Sequence, residues 1–153
     1  MKELPQKTAD DIPNDIKALD ALLRKVGIIL SKNTLSQMLD AAPDLKNLTS
    51  EEAEIRIQLL RDIGCSDRKI SGIVSSCSYL LKSISEIKKL FSTLNRYGFT
   101  NLNSLFFANP LILDLDSFEI EEYIKGRIER GETEEDVVND LQDKPYLFQE
   151  SGR

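Results

Sequence analysis

The chain has 153 residues, 41% apolar and 30% charged, a formal net charge of -6 and no histidine. That length suits one domain with a substantial core, and the lack of histidine excludes histidine-based triads, histidine general-base chemistry and the common zinc sites. The longest uncharged run, 97–113, carries glycine, proline and three asparagines and is no membrane span, while the acidic amino terminus suits neither a signal nor a transit peptide, so a cytoplasmic location is expected.

Residues 1–13 hold two prolines and few apolar anchors and read as a flexible leader. A long helix is expected from Asn14 as N-cap, through Ile16, Leu19, Leu23 and Val26, to a stop at Gly27. A shorter helix over about 32–42 ends before Pro43. Thr49 with Glu52 forms a capping-box pattern ahead of Ile55, Leu59, Leu60 and Ile63, and the helix closes at Gly64. Its short partner is expected over 67–77. Ser83 with Glu86 opens the next long helix, with Ile87, Leu90, Phe91, Leu94 and Tyr97 ahead of Gly98, and residues 101–109 supply the next short one. The fourth long helix starts near Ser117 and uses Phe118, Ile120, Tyr123, Ile124 and Ile128; Thr133 then caps a last short helix with acids in its first turn.

Gly27, Gly64, Gly98 and Gly131 fall 37, 34 and 33 residues apart, the period of a helical repeat. After each glycine runs one pattern: an apolar residue, an apolar pair, a proline, a final apolar residue. It reads Leu35, Met38-Leu39, Pro43, Leu45; then Ile70, Ile73-Val74, Ser78, Leu80; then Leu102, Leu105-Phe106, Pro110, Ile112; then Val137, Asp140-Leu141, Pro145, Leu147. Ser78 stands where proline is expected, and Asp140 breaks an apolar pair that Val138 is placed to replace. A single helix pair cannot bury both faces, so the units are expected to pack on one another. The repeats span about 14–48, 49–82, 83–115 and 116–148, one domain over 14–150.

A leucine-rich helix ending in glycine, an apolar short helix and a proline-x-leucine piece together resemble the repeat of the mitochondrial transcription termination factor (mTERF) family. The clearest matches are Leu60 to Gly64 with Ile70, Ile73, Val74 and Leu80, and Leu94 to Phe99 with Leu102, Leu105, Phe106 and Pro110. The resemblance implies an all-α, right-handed helical-repeat solenoid of about four helix-turn-helix units with short proline-led third helices. It also implies binding to duplex DNA or structured RNA.

Charge divides along the chain. Residues 55–96 hold Arg56, Arg61, Arg68, Lys69, Lys82, Lys88, Lys89 and Arg96 against Asp62, Asp67 and Glu86; residues 114–150 hold thirteen acids against four bases. A basic centre suits phosphate contact, since polyanion affinity comes largely from counterion release by clustered Lys and Arg. Arg61, Arg68, Lys69, Lys88, Lys89 and Arg96 are therefore the expected nucleic-acid contacts, positioning a DNA or RNA backbone without reading bases. The alternative is an acidic protein-interaction module or polyanion mimic that engages a basic nucleic-acid-processing protein.

No enzyme is expected. The glycines sit singly at helix ends and form no phosphate-cradling loop. Asp114, Asp116 and Glu119 lack the glycine and further ligands of an EF-hand, so neither a metal nor a cofactor is expected. Cys65 and Cys77 are expected as free thiols, Cys77 in the core and Cys65 exposed after its turn.

Overall fold

The computed structural model describes residues 13–147, and among them every regular element is helical. The helices are α1 (Asn14–Lys25), α2 (Lys32–Ala41), α3 (Ser50–Asp62), α4 (Asp67–Val74), α5 (Ile84–Arg96), α6 (Leu102–Ala108), α7 (Ser117–Glu129) and α8 (Glu134–Asp143). Short 3₁₀ turns at Pro43–Asn47, Tyr79–Leu81 and Pro110–Asp114 follow α2, α4 and α6. Of the leader expected over 1–13, all but Pro13 lies outside the described residues, as does the chain beyond Leu147.

Each long helix ends in a glycine whose φ is positive, at 92°, 100°, 97° and 106° for Gly27, Gly64, Gly98 and Gly131. An L side chain in that region brings Cβ against a carbonyl oxygen, so glycine is the residue that turns the chain there without strain. The helix starts are also fixed locally. Thr49 with Glu52 and Asp116 with Glu119 form reciprocal capping boxes, while Ser31, Ser66, Ser83 and Thr133 each accept one backbone N–H with the side-chain oxygen. Ser83 and Glu86 thus make only half of the expected box. At α1 the cap position belongs to Pro13, whose carbonyl accepts from the Ile16 and Lys17 amides at 3.1 Å, and Asn14 is the first helical residue.

α4 stops at Val74, three residues short of the expected Cys77. The Ser75 and Ser76 hydroxyls donate back to the carbonyls of Ser71 and Gly72 at 2.7 Å each, which offers the backbone a local alternative to another helical turn.

One hydrophobic cluster runs the length of the chain, from Ile16, Leu19 and Leu23 through Ile57, Leu60, Leu90 and Phe106 to Ile124 and Leu141. The long helices meet one unit apart, α1 on α3 and α5 on α7, and the short helices α4 and α6 also pack together. Gly72 admits this last contact: a Cβ there would lie 3.1 Å from the Phe107 ring. Two residues assigned to apolar stripes face outward, Ile55 at 46% exposure and Phe118 at 65%. In α3 the inward stripe is Ala53, Arg56, Ile57 and Leu60, with the Arg56 stem taking a core position; in α7 it is Ser117, Ile120 and Ile124. Cys65, expected exposed, is buried, and both cysteines are free thiols. Val137, Val138 and Leu141 are buried in α8, so Val138 does substitute for the interrupted pair.

Candidate interaction surface

Polar side chains tie each unit to the next. Arg61 at the end of α3 donates Nη2–H to the carbonyl of Val26 at 2.8 Å, and its Nε and Nη2 lie 3.2 and 3.0 Å from Asp67 Oδ1. Val26 caps the C-terminus of α1, so the guanidinium meets an orphan carbonyl at the negative end of the helix dipole. One unit on, Asn103 donates Nδ2–H to the Ile63 carbonyl at 3.1 Å and accepts from Lys69 Nζ at 2.8 Å. Gly27 and Gly64 are where these bridges pass. A Cβ at Gly27 would lie 2.9 Å from Arg61 Nη2, and one at Gly64 would lie 2.8 Å from Asn103 Nδ2.

The 3₁₀ layer is bridged as well. Ser78 donates its amide and hydroxyl to Asp114 Oδ1 at 3.1 and 2.8 Å, Lys82 Nζ donates to the Leu115 carbonyl at 3.0 Å, and Asn109 Nδ2 donates to the Pro145 carbonyl at 3.0 Å. Buried Arg56 donates Nε–H to the Lys82 carbonyl at 2.7 Å and Nη1–H to the Glu52 carbonyl at 3.0 Å, while the fully buried Tyr79 hydroxyl donates to the Arg56 carbonyl at 2.6 Å. Burial pushes the Tyr79 phenol well above its ordinary range. Between α7 and α8, Arg127 lies 2.5 Å from Glu132 Oε1 and 3.0 Å from Asp140 Oδ2; its guanidinium holds the Glu132 carboxyl below the usual range. Asp140, odd in the repeat pattern, is thus the partner of a half-buried arginine. Asp114, Asp116 and Glu119 are engaged by Ser78 and by the α7 capping box.

The six expected phosphate contacts divide three ways. Arg61 and Lys69 are held in the bridges above, with Lys69 also 5.9 Å from the centroid of the Phe107 ring. Arg96 pairs with Glu121 of α7 and lies over the Tyr97 ring, and Lys89 sits 4.0 Å from Glu86; these pairs are exposed and therefore weak. Arg68 on α4 and Lys88 on α5 are exposed and without a partner among the described residues. Lys88, Lys89 and Arg96 share the outer side of α5, whereas Arg68 and Lys69 belong to the short-helix layer.

Their surroundings are acidic. Counting back from the turn glycines, the outward position ten residues before each is Lys17, Glu54, Lys88 and Glu121, and the position two before is Lys25, Asp62, Arg96 and Glu129. Both columns alternate in sign from one long helix to the next. Glu54, Asp62 and Lys88 line one shallow cleft of about 310 Å³ between α3 and α5, with Ile55 and Leu59 beside them. The excess of basic residues in 55–96 therefore becomes a narrow strip on α5 between acidic rows on α3 and α7. Sequence reasoning missed this because α3 supplies two of the segment's arginines, Arg56 and Arg61, to the interior and to a bridge, leaving its acids outside.

Together these elements define an all-helical protein of repeated long and short helices with a charge-striped long-helix face. No family model, curated protein or solved structure matches the chain.

Proposed function

We propose that the chain is a non-enzymatic, mTERF-like helical-repeat solenoid, right-handed, that acts as a protein-binding module through the outer face of α1, α3, α5 and α7. The observation that carries this reading is the alternation of charge along that face. A phosphate backbone needs a continuous basic track, because each acid beside the track repels it and reduces counterion release. A protein surface can match alternating stripes charge for charge and gain specificity from the match. The solenoid reading is supported by contacts between helices one unit apart and by side chains bridging residues one period apart.

The face is tested by affinity capture from nuclease-treated cell extract with the wild-type chain, K88E/K89E and E121K/E122K, followed by cross-linking mass spectrometry. A protein cross-linked to the long-helix face and released by both reversals is the expected result. Cross-links confined to the short-helix layer would overturn the assignment.

A second reading rests on the α5 strip alone. Lys88, Lys89 and Arg96 are exposed, and their surface ion pairs are weak enough to be exchanged for phosphate. With Arg68 they form the nucleic-acid contact that remains once Arg61 and Lys69 are assigned to bridges, and it predicts salt-sensitive DNA or RNA binding lost in K88E/K89E.

A further inference from the structure

The charge stripes on the long-helix face are complementary to themselves. We propose that the partner of this face is a second copy of the chain, docked about a two-fold axis that runs along the cleft between α3 and α5; the proposal rests on the protein-binding reading above. A two-fold lying in the interface and parallel to the long helices reverses the order of units but keeps helix direction. α1 then meets α7 of the other copy, and α3 meets α5.

In that arrangement residues at equal distance from their turn glycines face each other. Ten before the glycine, Lys17 meets Glu121 and Glu54 meets Lys88; two before it, Lys25 meets Glu129 and Asp62 meets Arg96. All four pairings join opposite charges, and symmetry makes each of them twice; Arg96 and Glu121, paired with each other within one copy, exchange that weak contact for the intermolecular ones. No register shift is needed to obtain them. The other two-fold in the interface, perpendicular to the helices, keeps the order of units and reverses helix direction, which sets Glu54 against Asp62 and Lys88 against Arg96, like charge against like. Charge therefore selects the axis parallel to the helices, and about that axis Phe118, 65% exposed at the start of α7, comes over the small exposed face at Asn14 and Ala18 of α1.

Ile55, 46% exposed, lines the cleft with half-buried Leu59, so each copy brings an apolar edge beside the axis among the charges of Glu54, Asp62 and Lys88. Four helices of 12 or 13 residues, each roughly 19 Å long and taken at a usual helix spacing of roughly 9 Å, would offer roughly 700 Å² per copy, against the ~800 Å² per partner of a standard interface.

Sedimentation equilibrium of the full chain tests this, with E54K, K88E and the double swap E54K/K88E, each checked for unchanged helix content by circular dichroism. The wild type should form a dimer that weakens as salt is raised. Each single reversal should raise the dissociation constant about tenfold or more, since it creates two like-charge contacts per dimer. The double swap should return it toward wild type, because residue 54 of one copy meets residue 88 of the other. A wild type that stays monomeric at hundreds of micromolar, or a double swap no tighter than the single reversals, would overturn the proposal. A monomer that still captures a protein sensitive to the long-helix reversals would leave the protein-binding reading standing, whereas loss of both would remove it too.

Discussion

Alanine at the four turn glycines separates backbone strain from the bridging of units. At Gly98 and Gly131 an added Cβ meets nothing within 4 Å, so G98A and G131A should cost only the strain of a left-handed residue, about 1–2 kcal/mol. At Gly27 the same Cβ comes to 2.9 Å from Arg61 Nη2, and at Gly64 to 2.8 Å from Asn103 Nδ2. Relief of either clash displaces the side chain that satisfies the preceding carbonyl. G27A should therefore cost a further ~1.5 kcal/mol or more, the scale of a hydrogen bond from a charged donor, and G64A a further ~1 kcal/mol for a neutral one. Urea unfolding with a shared slope measures all four. R61M should remove most of the extra cost of G27A, giving a coupling of about 1 kcal/mol in the double-mutant cycle. Equal costs at all four glycines, within about 0.5 kcal/mol, would refute the claim that the bridges pass through these turns.

The buried node on α3 should be more sensitive than any exposed ion pair. R56M leaves the Lys82 carbonyl without its 2.7 Å donor and should cost about 2–4 kcal/mol, whereas Y79F, which deletes one hydroxyl, should cost about 1 kcal/mol, both read by urea unfolding. Ser78→Pro restores the residue other units carry yet should destabilise by about 1–2 kcal/mol, because proline has neither the amide nor the hydroxyl that Asp114 accepts from; a melting temperature at or above wild type would contradict the bridge. Burial raises the Cys65 thiol to about 11 and the Cys77 thiol to about 12, so at pH 8 the reactive thiolate should be on the order of a hundredfold scarcer at Cys65 and a thousandfold scarcer at Cys77 than in a free cysteine, read as slowed reaction with a disulfide reagent. The folded state keeps these protons when the unfolded state loses them. Their contribution to stability is therefore complete below about pH 9 and lost as pH rises toward 12, measurable as a falling urea midpoint.

Much of the fold is written locally in the residues. The four glycines, the caps at Thr49, Ser83 and Thr133, and the apolar stripes of α1 and α5 each state their element directly, because turn strain, capping and amphipathic spacing act within one helix or its ends. What the stripes do not state is which positions the next unit takes. Arg56 looks like a surface charge in sequence and is buried among backbone carbonyls; Ile55 looks like core and faces outward; Cys65 follows an exposed turn and is buried. Each of these depends on helices a full period away.

The candidate surface was legible only in part. Counting Lys and Arg along the segment marks the α5 strip but does not show that Arg61 and Lys69 bond Val26, Asp67 and Asn103. Registering the long helices backward from their glycines displays the alternation of Lys17, Glu54, Lys88 and Glu121 without any coordinates. The apolar repeat reads most clearly forward from each glycine, through the short helices, and it carries no information about the charges on the long-helix face.

Fluorescence anisotropy of labelled duplex DNA, duplex RNA and single strands at low and near-physiological salt tests most directly the claim that the long-helix face recognises protein and not phosphate. The striped face predicts little or no binding at low salt, with any residual signal unchanged in K88E/K89E. Binding that is tight at low salt, weakens steeply as salt rises and disappears in K88E/K89E would contradict it and assign the α5 strip to a nucleic-acid backbone.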